Sequence, residues 1–169
     1  MRELKGFGHL PQPEDRVIGL RNHWDEVSDQ GNALTNGSIG YLEEMRIITV
    51  DLPRRLRYNK PFEMVSTRLR TEEGDRFYNL MLDYHYLMTG ESLLTPEQEY
   101  WLKKDKTFIY PQPYQFAFGY AITTHKAQGS QWNKVLVREE SFPRDRIEHS
   151  RWCYTAATRA ANKLVFVRQ

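Results

Sequence analysis

The chain has 169 residues, with 24 Lys and Arg against 22 Asp and Glu and a formal net charge of +2. That length suits one domain, or one domain carrying a small insertion, and the mild basicity permits an anionic partner without demanding one. The single cysteine, Cys153, excludes an intramolecular disulfide and a thiolate metal cluster and fits a reducing compartment. No apolar run reaches the roughly 18 residues of a membrane span, and the N-terminus lacks the apolar core of a signal peptide. These features predict a cytoplasmic protein with no membrane association and no disulfide-linked partner.

In chain order, residues 1–14 hold two glycines and two prolines and read as an irregular lead-in. Arg16 to Leu20 is a short strand candidate. Asn36-Gly37 is a hairpin signal. Tyr41 to Leu52 and Phe62 to Leu69 read as strands. Between them, Pro53 to Lys60 carries Arg54, Arg55, Arg57 and Lys60, which suit either a phosphate-facing patch or a solvated hairpin tip. From Asp75 to Met88, the residues Phe77, Leu80, Met81, Tyr84 and Met88 fall on one helical face. Thr95-Pro96-Glu97-Gln98 starts a helix running to about Lys104, with a capping threonine, proline at the first helical position and glutamine three after the cap. Pro111-Gln112-Pro113 marks a linker.

The C-terminal third holds the densest pattern. An apolar run from Phe116 to Ile122 ends in a polar knot, Thr123 to Ser130. Val135 to Val137 forms a second run, a helical pattern covers about Ile147 to Ala161, and Leu164 to Val167 closes the chain. Short apolar runs alternating with helices predict an α/β fold with a parallel sheet, strands near 17–20, 117–122, 134–138 and 163–167 sharing it. Ligands gather at the carboxyl ends of such strands, which singles out the knot. Ala156, Ala157, Ala160 and Ala161 would let the last helix lie close to the sheet, with Trp152 and Tyr154 as anchors. Taken alone, Arg159 is a surface arginine near a helix end, His125 and Lys126 are a solvated helix start, and Gln128-Gly129 is a turn. The five histidines are scattered, so no metal site is predicted. Most tyrosines and tryptophans read as core, with Trp24 and Trp132, each beside a polar loop, left open as stacking platforms.

Taken together, ITTHKAQGSQW and CYTAATRAANKLVFV resemble motifs V and VI of superfamily 1 helicases, most closely the RecD-like branch through its UvrD-like C-terminal domain. RVIGLRN and LTNGSIGYL resemble the stretch that opens the second motor domain there. The resemblance implies a RecA-like, P-loop NTPase-type parallel sheet with an inserted SH3-like β subdomain. Residues 1–35 would open the motor domain, 36–113 would be the insertion with two helices, and 114–169 would complete the motor. It also implies roles. Thr123, Thr124, His125 and Lys126 match the segment that contacts single-stranded DNA, with Thr123 and His125 as the contacting positions. Gln128, Gly129 and Gln131 lie near the nucleotide, and Arg159 in TAATRA matches the arginine that reaches the γ-phosphate across the motor cleft. Such fingers contribute about 10³–10⁵ in rate in P-loop enzymes.

Two positions depart from the family pattern: Gln131 stands where an acidic residue is frequent, and Thr124 where an apolar one is frequent. A larger departure is that no G-x-x-x-x-G-K-[ST] occurs, nor an acidic pair at a strand end, so the phosphate cradle and the Mg²⁺ ligands are missing. ATP and Mg²⁺ are therefore expected only with an N-terminal RecA-like domain of the same full-length protein, and the chain reads as a C-terminal fragment. The alternative is a free-standing binding domain derived from a helicase. It is the weaker reading, since a pure binding module has no use for an arginine finger.

Overall fold

The computed structural model describes residues 5–58, 60–107, 112–141 and 144–168. The start of the expected lead-in, Asn59 of the arginine-rich loop and Pro111 of the expected linker lie outside them. The chain divides into two compact units, Met1–Tyr120 and Ala121–Gln169.

The first unit is built on a five-stranded sheet. Its strands are β1 (Arg16–Gly19), β4 (Ile39–Val50), β5 (Phe62–Thr71), β6 (Arg76–Asp83) and β7 (Phe116–Phe118), in the order β6-β5-β4-β1-β7. All of these pairings are antiparallel. The short strands β2 (His23–Val27) and β3 (Ala33–Leu34) pair separately. Two helices follow β6: α1 (Tyr84–Thr89) and α2 (Pro96–Lys104). One buried cluster gathers Val17, Leu42, Leu69, Phe77, Leu80 and Phe116, and a second gathers Phe62, Met64, Leu56, Leu94 and Leu102. Close backbone approach matters at Gly40, where a Cβ would meet the Arg70 carbonyl oxygen at 2.6 Å.

The second unit is a β–α–β unit. Strands β8 (Trp132–Arg138) and β9 (Ala160–Val167) pair in parallel and are joined through α3 (Arg146–Ala157). Asp145 caps α3, its carboxylate accepting from the Ile147 and Glu148 amides at 3.0 Å. Ala156 is buried. Trp152 stacks on His149, but Tyr154 is 71% exposed and anchors nothing. Ala160 and Ala161 belong to β9 rather than to the helix.

Several expectations are corrected. The single, largely parallel sheet does not form: β1 and β7 are antiparallel neighbours in the first unit, and among the described strands the parallel pair is β8 and β9. Short apolar runs do not encode direction, and β7 is three residues long, held to β1 by the register Val17↔Phe118 to Gly19↔Phe116. Nor do residues 36–113 form a separate β unit, because β4 pairs with both β1 and β5. The helix expected over 75–88 is mostly β6. Leu69 faces Phe77 while Thr67 faces Leu80, so β6 carries one extra residue, a bulge at whose centre Asn79 has φ +57°. The bulge places Phe77 and Leu80 on one face three residues apart, which imitates a helical period. The Asn36-Gly37 turn forms, with the Ser38 amide donating to the Thr35 carbonyl at 3.1 Å, but β3 and β4 do not pair, so it is no hairpin. The α2 start is as the sequence indicates: Thr95 and Gln98 cap each other reciprocally, with Pro96 in the first turn.

Candidate functional site

The polar knot forms one helical turn. The Ala127 amide donates to the Thr123 carbonyl at 3.1 Å, and the Lys126 amide leans on Thr123 Oγ1 at 3.4 Å. Gly129, at φ +84°, ends the turn in a conformation other residues resist. Ala127 is buried and pins the turn, which leaves Thr123, His125, Lys126, Gln128 and Gly129 exposed and Thr124 half-buried. Gln131 is exposed immediately before β8.

Arg159 closes on this turn from the other end of the unit's sequence. It follows Thr158, the C-terminal cap of α3, and directly precedes β9. Its Nη1 donates to the Ser130 carbonyl at 3.2 Å, its Nε to the Thr155 carbonyl at 3.1 Å and its Nη2 to Thr158 Oγ1 at 3.0 Å. In turn the Trp132 amide donates to the Arg159 carbonyl at 2.9 Å, which starts the β8–β9 ladder. The side chains of Asn133 and Asn162 bond just beyond. A guanidinium has five N–H donors, so these three bonds leave one N–H on each Nη for an acceptor such as a phosphate oxygen.

The fold thus brings Arg159 to the end of the segment holding Gln128, Gly129 and Gln131. It also moves the expected location. The knot does not sit at the carboxyl end of a parallel strand, because β7 ends at Phe118 in the other sheet. The site lies instead where β8 and β9 begin.

A further cluster escaped the sequence. Glu139, His149 and Cys153 bring ligand atoms within 4.8 Å of one another at the far end of β8. The signal was the four-residue spacing of His149 and Cys153 on one helix, invisible to a search for paired histidines. His149 Nε2 lies 2.8 Å from Glu139 Oε1, and Arg168 Nε 3.4 Å from Glu139 Oε2. Burial and the Glu139 charge push the Cys153 thiol up, away from the metal-binding thiolate. With its carboxylate already paired to a guanidinium, this cluster reads as structural.

Residues 118–167 match the family model described as the UvrD-like helicase C-terminal domain. This stretch is similar to a helicase C-terminal domain. The match covers less than a third of the chain and contains the turn at Thr123, the Gln128-Gly129 pair and Arg159. Among solved structures, the chain is similar to the Pif1 helicase from Candida albicans, at 16% identity and a TM-score of 0.41 over 98% of this chain. The chain spans 35% of that protein's length. No curated protein matches. Among the described residues, no helix is long and apolar enough to cross a membrane.

Proposed function

We propose that residues 121–169 form the C-terminal part of the second motor domain of a RecD-like superfamily 1 DNA helicase. The observation that carries this reading is the contact between Arg159 and Ser130 at 3.2 Å, which joins the two helicase-like motifs within the stretch that matches the family. In this reading Arg159 is the arginine finger, and its two spare N–H groups stabilise charge on the γ-phosphate. Gln128, Gly129 and Gln131 border the nucleotide. Thr123, Thr124, His125 and Lys126 hold sugar and phosphate of single-stranded DNA without reading bases. Residues 36–113 stand in for the inserted SH3-like piece, continuous in one sheet with β1 of the motor's opening stretch.

ATP with Mg²⁺ fits these residues only in part. They supply donors for phosphate oxygens, while the cradle and the metal ligands belong to an N-terminal RecA-like domain of the full-length protein. The second unit supports such a partner. Its buried hydrophobic residues among those described are Ala127, Val137 and Ala156, while Leu136, Leu164, Val165 and Val167 are 40–68% exposed. A two-stranded parallel sheet does not stand alone; its faces are normally covered.

The test joins this chain to the upstream part of its reading frame and measures phosphate release with single-stranded DNA present. The reading requires a G-x-x-x-x-G-K-[ST] upstream and DNA-stimulated turnover by the joined protein. A reading frame with no such motif would favour the free-standing binding domain.

A further inference from the structure

The loop between β4 and β5 contains a 3-10 turn, Arg54–Leu56, and this turn is fastened to α2 at three points. Arg55 Nε lies 2.7 Å from the buried Asp105 carboxylate, and Arg55 Nη2 reaches the Trp101 carbonyl at 3.5 Å. Gln98 Nε2 donates to the Leu56 carbonyl at 2.7 Å. Thr107 and Arg55 hold the Asp105 carboxyl below its ordinary range, so the clamp stays charged near neutral pH.

The clamp holds the turn that carries the exposed Arg54 and Arg57 against the helix that carries exposed aromatic rings. Trp101 is 45% and Tyr100 52% exposed, and their rings meet edge to face at 5.4 Å. The Lys104 ammonium lies 4.5 Å over the Tyr100 ring. Burial does not account for these rings: the side of α2 facing the core is satisfied by Leu102. Asp105 is committed to Arg55 and Glu99 to Arg21, which leaves Glu97 as the acidic residue one turn from Trp101 on the helix. Fixed, exposed aromatic faces beside cations are the elements from which single-stranded nucleic acid sites are made, bases stacking on rings while cations follow the phosphates.

We propose that this face of the first unit, Trp101 and Tyr100 on α2 with Arg54 and Arg57 on the clamped turn, binds single-stranded nucleic acid. Trp101 and Tyr100 stack on bases, and Arg54, Arg57 and Lys104 neutralise phosphates. The site is made of other residues than the turn at Thr123 and stands whether or not Arg159 acts on a nucleotide.

The test titrates the 169-residue chain into a fluorescein-labelled oligothymidylate and reads anisotropy at several salt concentrations. Trp101→Ala should weaken binding about tenfold, as loss of one stacked base does, while Trp101→Phe keeps a ring and stays within about threefold. The double variant Arg54→Gln/Arg57→Gln should also weaken binding and reduce the salt slope by about 1.4, two phosphate contacts' worth for a single strand. The double variant Thr123→Ala/His125→Ala tests the other site in the same assay. Loss of binding in that variant alone would overturn this proposal and leave the helicase reading intact. Absence of any binding, or an unchanged affinity in Trp101→Ala, would also overturn it. So would polyglutamate binding as tightly as the oligonucleotide and without regard to Trp101, which would assign the patch to acidic peptides.

Discussion

The Arg159 guanidinium donates to the Ser130 carbonyl at 3.2 Å, although 29 residues separate them. The parallel register explains the meeting. Trp132 opens β8 opposite Ala160, which opens β9, so whatever precedes the two strands is brought side by side. The arginine is positioned by the ladder as much as by the helix it follows.

That placement depends on α3 ending where it does, and α3 depends on its start. Asp145→Ala removes the acceptor for two orphan amides and should cost about 1 kcal/mol, within the usual range for a lost cap. Circular dichroism and a thermal melt would register the change, with the melt of the second unit affected more than that of the first.

Gly40 carries a different kind of constraint. A methyl there would press on the Arg70 carbonyl at 2.6 Å and on Leu69 at 2.9 Å, so β4 and β5 would have to part. Gly40→Ala should destabilise the first unit by about 1–3 kcal/mol, the range for overpacking. A denaturation midpoint equal to that of the unmodified chain would show that the sheet yields freely at this point.

His23 gives the first unit a pH dependence. Its imidazole lies edge-on to Tyr114 at 4.5 Å, and burial, with repulsion from Arg21 and Lys103, holds it below its ordinary value near 6.5. The unfolded chain then takes up a proton at a pH where the folded chain does not. Stability is full above pH 6.5 and falls as the pH drops from 6.5 toward the lowered value. Asp83, raised by burial, acts the other way, adding stability as the pH falls through its raised value. Comparing melts at pH 7.5 and 5.5 for the unmodified chain and His23→Phe isolates the histidine. The variant should lose part of the pH dependence, and equal slopes in the two proteins would remove His23 as its source.

The chain alone should release no phosphate from ATP at helicase rates, with or without single-stranded DNA, since it holds no phosphate cradle. Turnover that co-purifies with the chain and scales with its concentration would contradict the proposal that the phosphate cradle lies on another motor domain.

The legible parts of this sequence were those written in local chemistry. Thr95 to Gln98 spells its capping box in four letters, and THKAQG and TAATRA carry a pattern of side chains that survives without the fold. Sheet membership was not legible. Val17, Phe118 and Val165 each lie in a short apolar run, yet the first two face each other across an antiparallel pair and the third lies in a parallel one. Nor was the β6 bulge, where a single left-handed Asn79 turns a strand's period into a helix's. Tyr100 and Trp101 were hidden for another reason: only the folded helix shows that their rings are exposed, with Lys104 over Tyr100.

The most direct measurement is made on Arg159 in the chain joined to the upstream part of its reading frame: kcat for ATP, single-stranded DNA affinity and melting temperature for the unmodified protein, Arg159→Ala and Arg159→Lys. If Arg159 is the finger, the alanine variant loses orders of magnitude in kcat, and DNA affinity and melting temperature change little, because a finger stabilises the transition state rather than the ground state. The lysine variant recovers little, since the fork on the two Nη atoms is gone. A normal kcat in Arg159→Ala, with at most about 1 kcal/mol lost from stability, would make Arg159 a helix-end cation and contradict the account.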